Sequence, residues 1–208
     1  MTKQEVIDLI EKLDIQENTS RDLISRRIKN EGLREIVTIT NGCSKNCLIF
    51  RNEDFVIKWC AYGREEAQKE ISLYNLAKEK EIECFFPATE LFATVNGIVF
   101  VKQEKIDACC DDLQSDKEKT YSRIGRTVSD KVFLKMSKEM RTAHPHYGRI
   151  PNSLWVHMAI SLYGKCRCKK FCEFLHTHKI NDLHSGNLGY KNNKPIVLDF
   201  CGFENYSS

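Results

Sequence analysis

Apolar residues recur along this chain first at helical spacing and then at strand spacing. Over residues 3–16, Val6, Ile7, Leu9, Ile10 and Leu13 form one stripe, the pattern of an amphipathic helix. Thr19-Ser20 offers a hydroxyl cap for a second helix running to about Asn30, and Gly32 is placed to stop it. The period then shortens to two. Ile36 to Thr40 reads as a strand broken by Asn41-Gly42. Asn46 to Phe50 and Phe55 to Cys60 read as two more, joined by the turn Arg51-Asn52-Glu53-Asp54. Arg64 to Lys80 returns to helical spacing, with Ala67, Ile71, Tyr74 and Leu76 facing inward. Glu90 to Val95 and Ile98 to Lys102 flank Asn96-Gly97, the strongest short hairpin signal. Three strands, a helix and two strands predict an antiparallel α+β unit.

The second half reads as mostly helical. Residues 106–120 are polar and charge-rich and predict a linker or lobe crossing. Ile124, Val128, Val132, Met136 and Met140 recur every four residues, so a helix is expected over about 121–142, ended by His144-Pro145-His146. Another begins at Pro151 with Leu154, Met158 and Leu162 on one face. Gly164 interrupts it, and Lys165 to Thr177 forms a third. Leu188 to Tyr190 and Ile196 to Phe200 then flank a turn as a last hairpin. There is no internal repeat and no low-complexity tract.

A chain of 208 residues can bury one core or divide it between two lobes. No apolar run approaches the ~18 residues that a membrane span requires. Met1 to Glu5 enters the first helical pattern without an apolar signal core. The expectation is a cytoplasmic protein with no membrane partner. A formal charge of +3, with both signs interspersed, lacks the basic footprint of a nucleic-acid binder. Ten cysteines are many, and a cytosolic chain should keep them reduced. Cys166-x-Cys168-x-x-x-Cys172 lacks the paired knuckles of structural zinc sites. Cys168 and Cys172 share a helix face and are expected to be small buried hydrophobes, and Cys43, Cys47, Cys109 and Cys110 are read the same way.

The chemistry gathers at the end of the chain. Asp182 stands five residues before Asn187, and the apolar run Ile196-Val197-Leu198 delivers Asp199. Phosphoryl transfer from ATP uses one carboxylate to orient the nucleophile, and an Asn with a second carboxylate to hold Mg²⁺. A carboxylate closing an apolar run needs a partner, and a metal ion is a natural one. Upstream, Lys58 lies on the third strand and Glu70 on the following helix. Glu65 and Glu66 compete, but Ile71 and Tyr74 bring Glu70 nearest the inward face. Between the first two strands, Gly42 permits a close turn. The N–H groups of Cys43 to Asn46, the Ser44 hydroxyl and the Lys45 charge could meet phosphate there.

These phrases fall in one order: Gly42-x-Ser44-Lys45, Val56-Ile57-Lys58, Glu70-x-x-x-Tyr74, Asp182-Leu183-His184-x-x-Asn187, Asp199-Phe200-x-Gly202. Together they resemble the protein-kinase-like superfamily, in particular its compact bacterial and phage members. The loop at Asp182 is closer to aminoglycoside and choline phosphotransferases than to ordinary protein kinases. The resemblance implies a two-lobed kinase-like fold. Residues 1–34 would be a helical extension, 35–105 a five-stranded small lobe, and 106–208 a reduced, mostly helical large lobe. It also implies ATP and Mg²⁺, with Mn²⁺ as a substitute, and an acceptor that is a small molecule or a protein. Asp182 would be the base, with Lys58 and its partner Glu70 completing the catalytic set. Asn187 and Asp199 would hold the metal. Gly42, Ser44, Lys45 and Lys58 would face the phosphates, and Val56 the adenine ring. The connection Val101 to Lys105, with Gln103 in it, would receive the base.

The pattern departs from the superfamily at several points. Ile180-Asn181 replaces the usual His-Arg or His-Gly, one glycine stands where the phosphate loop commonly has three, and Cys201 separates Phe200 from Gly202. His184 reads as a scaffold residue of its loop. With only a few residues after Phe203, a peptide-binding activation segment is not expected. Three readings stay open: a compact phosphotransferase, a nucleotide-binding pseudokinase acting through its surface, and a transferase moving AMP on the same fold.

Overall fold

A computed structural model describes residues 1–16, 19–41, 45–60, 64–108, 153–180, 183 and 187–200. The fold is α+β, built around a five-stranded antiparallel sheet. The described residues divide into two compact units. The first takes Met1–Ser72 and Ala88–Lys105, the second Leu73–Pro87 and the chain from Ile106 onward.

In the first unit, helices α1 (Lys3–Lys12) and α2 (Arg21–Asn30) form where the apolar stripes predict them. Thr2 and Glu5 close a capping box on α1, and the Ser20 hydroxyl accepts the Leu23 N–H at the start of α2. The guanidinium of Arg27 on α2 donates to the carbonyls of Leu13 and Asp14 at 2.8 and 2.6 Å, which satisfies the end of α1 and fixes the two helices together.

The sheet follows, with β1 (Val37–Asn41), β2 (Lys45–Phe50), β3 (Phe55–Cys60), β4 (Thr89–Val95) and β5 (Ile98–Glu104) in the spatial order β1-β2-β3-β5-β4. Asn96 and Gly97 both take positive φ in the β4–β5 turn, at 52° and 79°. That is the two-residue hairpin turn for which Asn-Gly is suited. Helix α3 (Arg64–Glu79) connects β3 to β4.

Alternation along the strands sends side chains to two faces. Phe55, Ile57 and Trp59 of β3 and Ile98 and Phe100 of β5 pack with Val6, Ile10, Leu13 and Ile24 of the helices. So α1 and α2 form a layer of this unit's core. The opposite face carries Val99 and Val101, which pack with Ala67 and Ile71 of α3.

The division between the units runs through α3. Leu73, Tyr74 and Ala77 join the second core with Phe85, Trp155, Phe171 and Phe200. The two helices expected on either side of Gly164 are there: α4 (Ser153–Thr177) is two helical stretches meeting at a kink, where Gly164 leaves helical geometry at φ 78°, ψ 160°. Its inward residues are Trp155, Met158 and Ala159. Leu162 was expected on that face but stands in the last turn before Gly164 and is 40% exposed. Residues 106–108 are not plain linker as expected, because β6 (Asp107–Ala108) pairs with β7 (Leu188–Lys191). The last hairpin, β7 with β8 (Lys194–Val197), turns on Asn192 and Asn193, both at positive φ. The helix expected over 121–142 lies outside the described residues. Among the described residues, no helix is long and apolar enough to cross a membrane.

Candidate functional site

Lys58 is placed by strand alternation. Its neighbours Ile57 and Trp59 point into the core under α1 and α2, so Lys58 and Val56 take the face that α3 covers. Pairing then sets what stands beside it. Lys58 is opposite Val101, Val56 is opposite Gln103, and Gln103 is opposite Thr89 on its other side. Glu70 descends from α3, between the packed Ala67 and Ile71.

The four polar side chains form one network. Lys58 Nζ donates to Glu70 Oε1 at 2.7 Å and to Gln103 Oε1 at 3.1 Å. Gln103 Nε2 donates to the same Glu70 oxygen at 3.1 Å and to Thr89 Oγ1 at 3.2 Å. Lys58, Glu70, Gln103 and Thr89 are exposed by 6%, 1%, 3% and 4%. Tyrosine and tryptophan aside, they are the buried polar and charged side chains among the described residues. A buried ammonium or carboxylate persists only when paired and hydrogen-bonded, and here each is both. Of the competing acids on α3, Glu66 is exposed, and the Glu65 side chain lies outside the described part.

Two features differ from expectation. Val101 to Glu104 are not a connection but the end of strand β5, laddered to β3 and β4. Beyond the ladder, the Glu104 N–H donates to the Ala88 carbonyl at 2.9 Å and the Lys105 N–H to the Asp54 carbonyl at 2.8 Å. These two N–H groups are therefore engaged inside the protein. The Gln103 side chain, expected at the cofactor, is committed to Lys58, Glu70 and Thr89. Sequence reasoning missed Thr89 altogether. Its signal was indirect: a glutamine two positions after Val101 on one strand face must find polar partners.

In the second unit, the β7–β8 ladder ends at Leu188 opposite Val197, and the Leu198 N–H continues it to the Asn187 carbonyl at 2.8 Å. Asn187 and Asp199 thus leave the same open end of the hairpin. Both are half-buried, and Asp199 stands between the half-buried Leu198 and the fully buried Phe200. The Tyr163 hydroxyl donates to the Pro195 carbonyl at 2.8 Å and ties the hairpin to α4. Burial pushes the Tyr163 phenol upward, so it stays a protonated donor. Asp182 lies outside the described residues, but the chain around it is anchored. Ile180 and Leu183 are buried, and the Ile180 N–H closes on the Leu175 carbonyl at 2.9 Å. Gly42, Ser44 and His184 lie outside the described residues too, as does the Lys45 side chain.

An amide oxygen and a carboxylate at one hairpin end suit Mg²⁺, which takes few protein ligands and fills its shell with phosphate and water. They do not suit a self-contained protein cage. Among the described residues, no group of three or more His, Cys, Asp or Glu could hold a metal ion. Of the described cysteines expected to be buried, two follow the packing expectation and Cys47 departs from it, being half-buried. Cys168 and Cys172 are buried and Cys166 is exposed. Cys43, Cys109 and Cys110 lie outside the described residues.

No protein-family model matches the chain, and no curated protein matches it. Among solved structures, the chain is similar to that of a ternary complex of streptomycin, ATP and APH(2")-IIa. The identity is 14%, the match covers 97% of this chain and 71% of that one, and the TM-score is 0.39.

Proposed function

We propose that this protein is an ATP- and Mg²⁺-dependent phosphotransferase, with a small-molecule or protein hydroxyl as acceptor. The observation that carries the reading is the buried 2.7 Å pair of Lys58 on β3 and Glu70 on α3. A lysine is seldom buried, and an ion pair closed in this way directs the ammonium to one place. Such a fixed cation suits a ligand of high negative charge, and the α- and β-phosphates of ATP are one. Val56 shares the strand face with Lys58 and would lie along the adenine ring. Gly42, Ser44 and Lys45 would supply donors to the phosphates, and Lys105 would stand at the outer end of the nucleotide.

The hairpin end supplies the second part. Asn187 and Asp199 would hold the metal, which when bound neutralises charge on the transferring phosphoryl group. Asp182 would orient the acceptor hydroxyl and take its proton as the acceptor oxygen bonds to the γ-phosphorus and the bond from that phosphorus to the departing ADP oxygen breaks. Gln103 supports Lys58 in this scheme and does not touch the nucleotide.

The test is incubation of the full chain with Mg²⁺ and ATP labelled in the γ position, and separately in the α position. Turnover or self-labelling from γ-label supports the proposal. Label transferred only from the α position replaces it with AMP transfer. ATP binding without transfer of either label, across candidate acceptors, replaces it with a pseudokinase.

A further inference from the structure

We infer that Gln103 is the positioning residue of the Lys58 site: its amide aims the ammonium and fastens α3 to the sheet. The inference deepens the phosphotransferase reading and rests on it for the ligand that Lys58 meets. Its structural content stands apart from any ligand. Gln103 is the member of the network that touches all three others. Its oxygen accepts from the cation, and its nitrogen donates to the carboxylate and to the Thr89 hydroxyl. Strand β5 lies between β3, which carries Lys58, and β4, which carries Thr89, so the amide joins three adjacent strands to the helix.

The chemistry explains why an amide stands there. The position must accept from an ammonium and donate to a carboxylate at once, with a flat group long enough to reach across a strand. A glutamate would accept from Lys58 but face Glu70 charge against charge. A lysine would donate to Glu70 but repel Lys58. A methionine would fill the volume and do neither. The network also fixes the amide's orientation, since only one end can face the cation. Thr89 completes this by taking the remaining N–H of the same nitrogen.

The proposal separates from a plain packing role by opposite responses in two variants. In the full chain with ¹⁵N-labelled lysine, the Lys58 ammonium is assigned by its loss in Lys58→Arg. Its proton exchange with water is then followed by NMR. Gln103→Met should speed that exchange several-fold and also lower the melting midpoint. Gln103→Glu should slow the exchange, because a carboxylate is the stronger acceptor, while the melting midpoint still falls from repulsion with Glu70. Val101→Ala, a packing change directly opposite Lys58, should lower the midpoint and leave the exchange within twofold of wild type. Should Gln103→Met fail to fold, Thr89→Val tests the same tether, with a smaller acceleration expected.

The inference is overturned if Gln103→Met leaves Lys58 exchange unchanged, or if Val101→Ala moves it as far. It is also overturned if Gln103→Glu and Gln103→Met shift it in the same direction. Mg·ATP titration of wild type and Lys58→Ala separates the two proposals. Equal affinity in both sinks the phosphate-facing role of Lys58 and leaves the positioning result standing on the NMR alone.

Discussion

Glu70 Oε1 accepts from both Lys58 Nζ and Gln103 Nε2, at 2.7 and 3.1 Å, so one carboxylate oxygen joins helix α3 to two strands of the sheet. A pair this closed responds unequally to single and double substitution. Removing one partner strands a buried charge, which typically costs about 3–5 kcal/mol, whereas replacing both with apolar groups is often near neutral. Glu70→Leu should therefore lower the urea midpoint sharply, and Lys58→Met/Glu70→Leu should recover much of the loss. Additive single effects in the double variant would contradict the pairing.

Gly164 provides a test that isolates the backbone. Its φ of 78° and ψ of 160° fall in a region that side-chain-bearing residues almost never take, and an added Cβ would meet nothing within 4 Å. Gly164→Ala should thus destabilise through conformation alone, by about 1–3 kcal/mol. Gly97 is the control. Its φ of 79° lies in the left-handed turn region, and a Cβ there also meets nothing within 4 Å. Gly97→Asn should be far milder, because Asn tolerates that region. Thermal unfolding of the two variants gives the comparison.

Much of the first unit was legible because its signals are local. The stripe from Val6 to Leu13, the Ser20 cap and the Asn96-Gly97 turn each act within a few residues, and each element forms within a few residues of the expected place. Glu70 could be chosen over Glu66 from helical phase alone. What escaped depends on pairing between distant segments. Gln103 meets Thr89 because of the register of β5 on β4, and β6 exists because two residues find the edge of β7. A strand of two residues leaves no periodicity to read. The end of β5 was mistaken for a connection for a similar reason: Lys102-Gln103-Glu104-Lys105 is polar in sequence, yet its backbone is held by β3 and β4.

The cysteines of α4 should separate by burial. Cys166 is exposed, while burial raises the Cys168 thiol to about 12, with the nearby Cys84 adding to the shift. At pH 8 the Cys168 thiol is protonated and a poor nucleophile. Iodoacetamide should modify Cys166 in the folded protein and reach Cys168 only after unfolding, as read by peptide mass spectrometry. The same shift has a sign for stability. The unfolded thiol ionises near the ordinary 9.0 and the folded one near 12, so this group's contribution falls as pH rises between those values. Cys168→Ala should flatten that part of the pH profile. Prompt labelling of Cys168 in native protein at pH 8 would contradict its burial.

Asp199 and Asp182 should fail differently if the phosphotransferase reading holds. Asp199 leaves the β7–β8 hairpin beside Asn187, where the pair suits a metal ion that carries the phosphates. Asp199→Asn removes a ligand's charge and should weaken Mg·ATP binding while abolishing turnover. Asp182 is assigned to the acceptor side, so Asp182→Asn should leave Mg·ATP affinity near wild type. Loss of a general base lowers rate by roughly 10²–10⁴-fold, which an assay of γ-label transfer resolves readily. Calorimetry with Mg·ATP and the transfer rate together give each variant two coordinates, affinity and rate. Full transfer by Asp182→Asn would remove Asp182 as the base, and unchanged Mg·ATP affinity in Asp199→Asn would remove Asp199 from the metal.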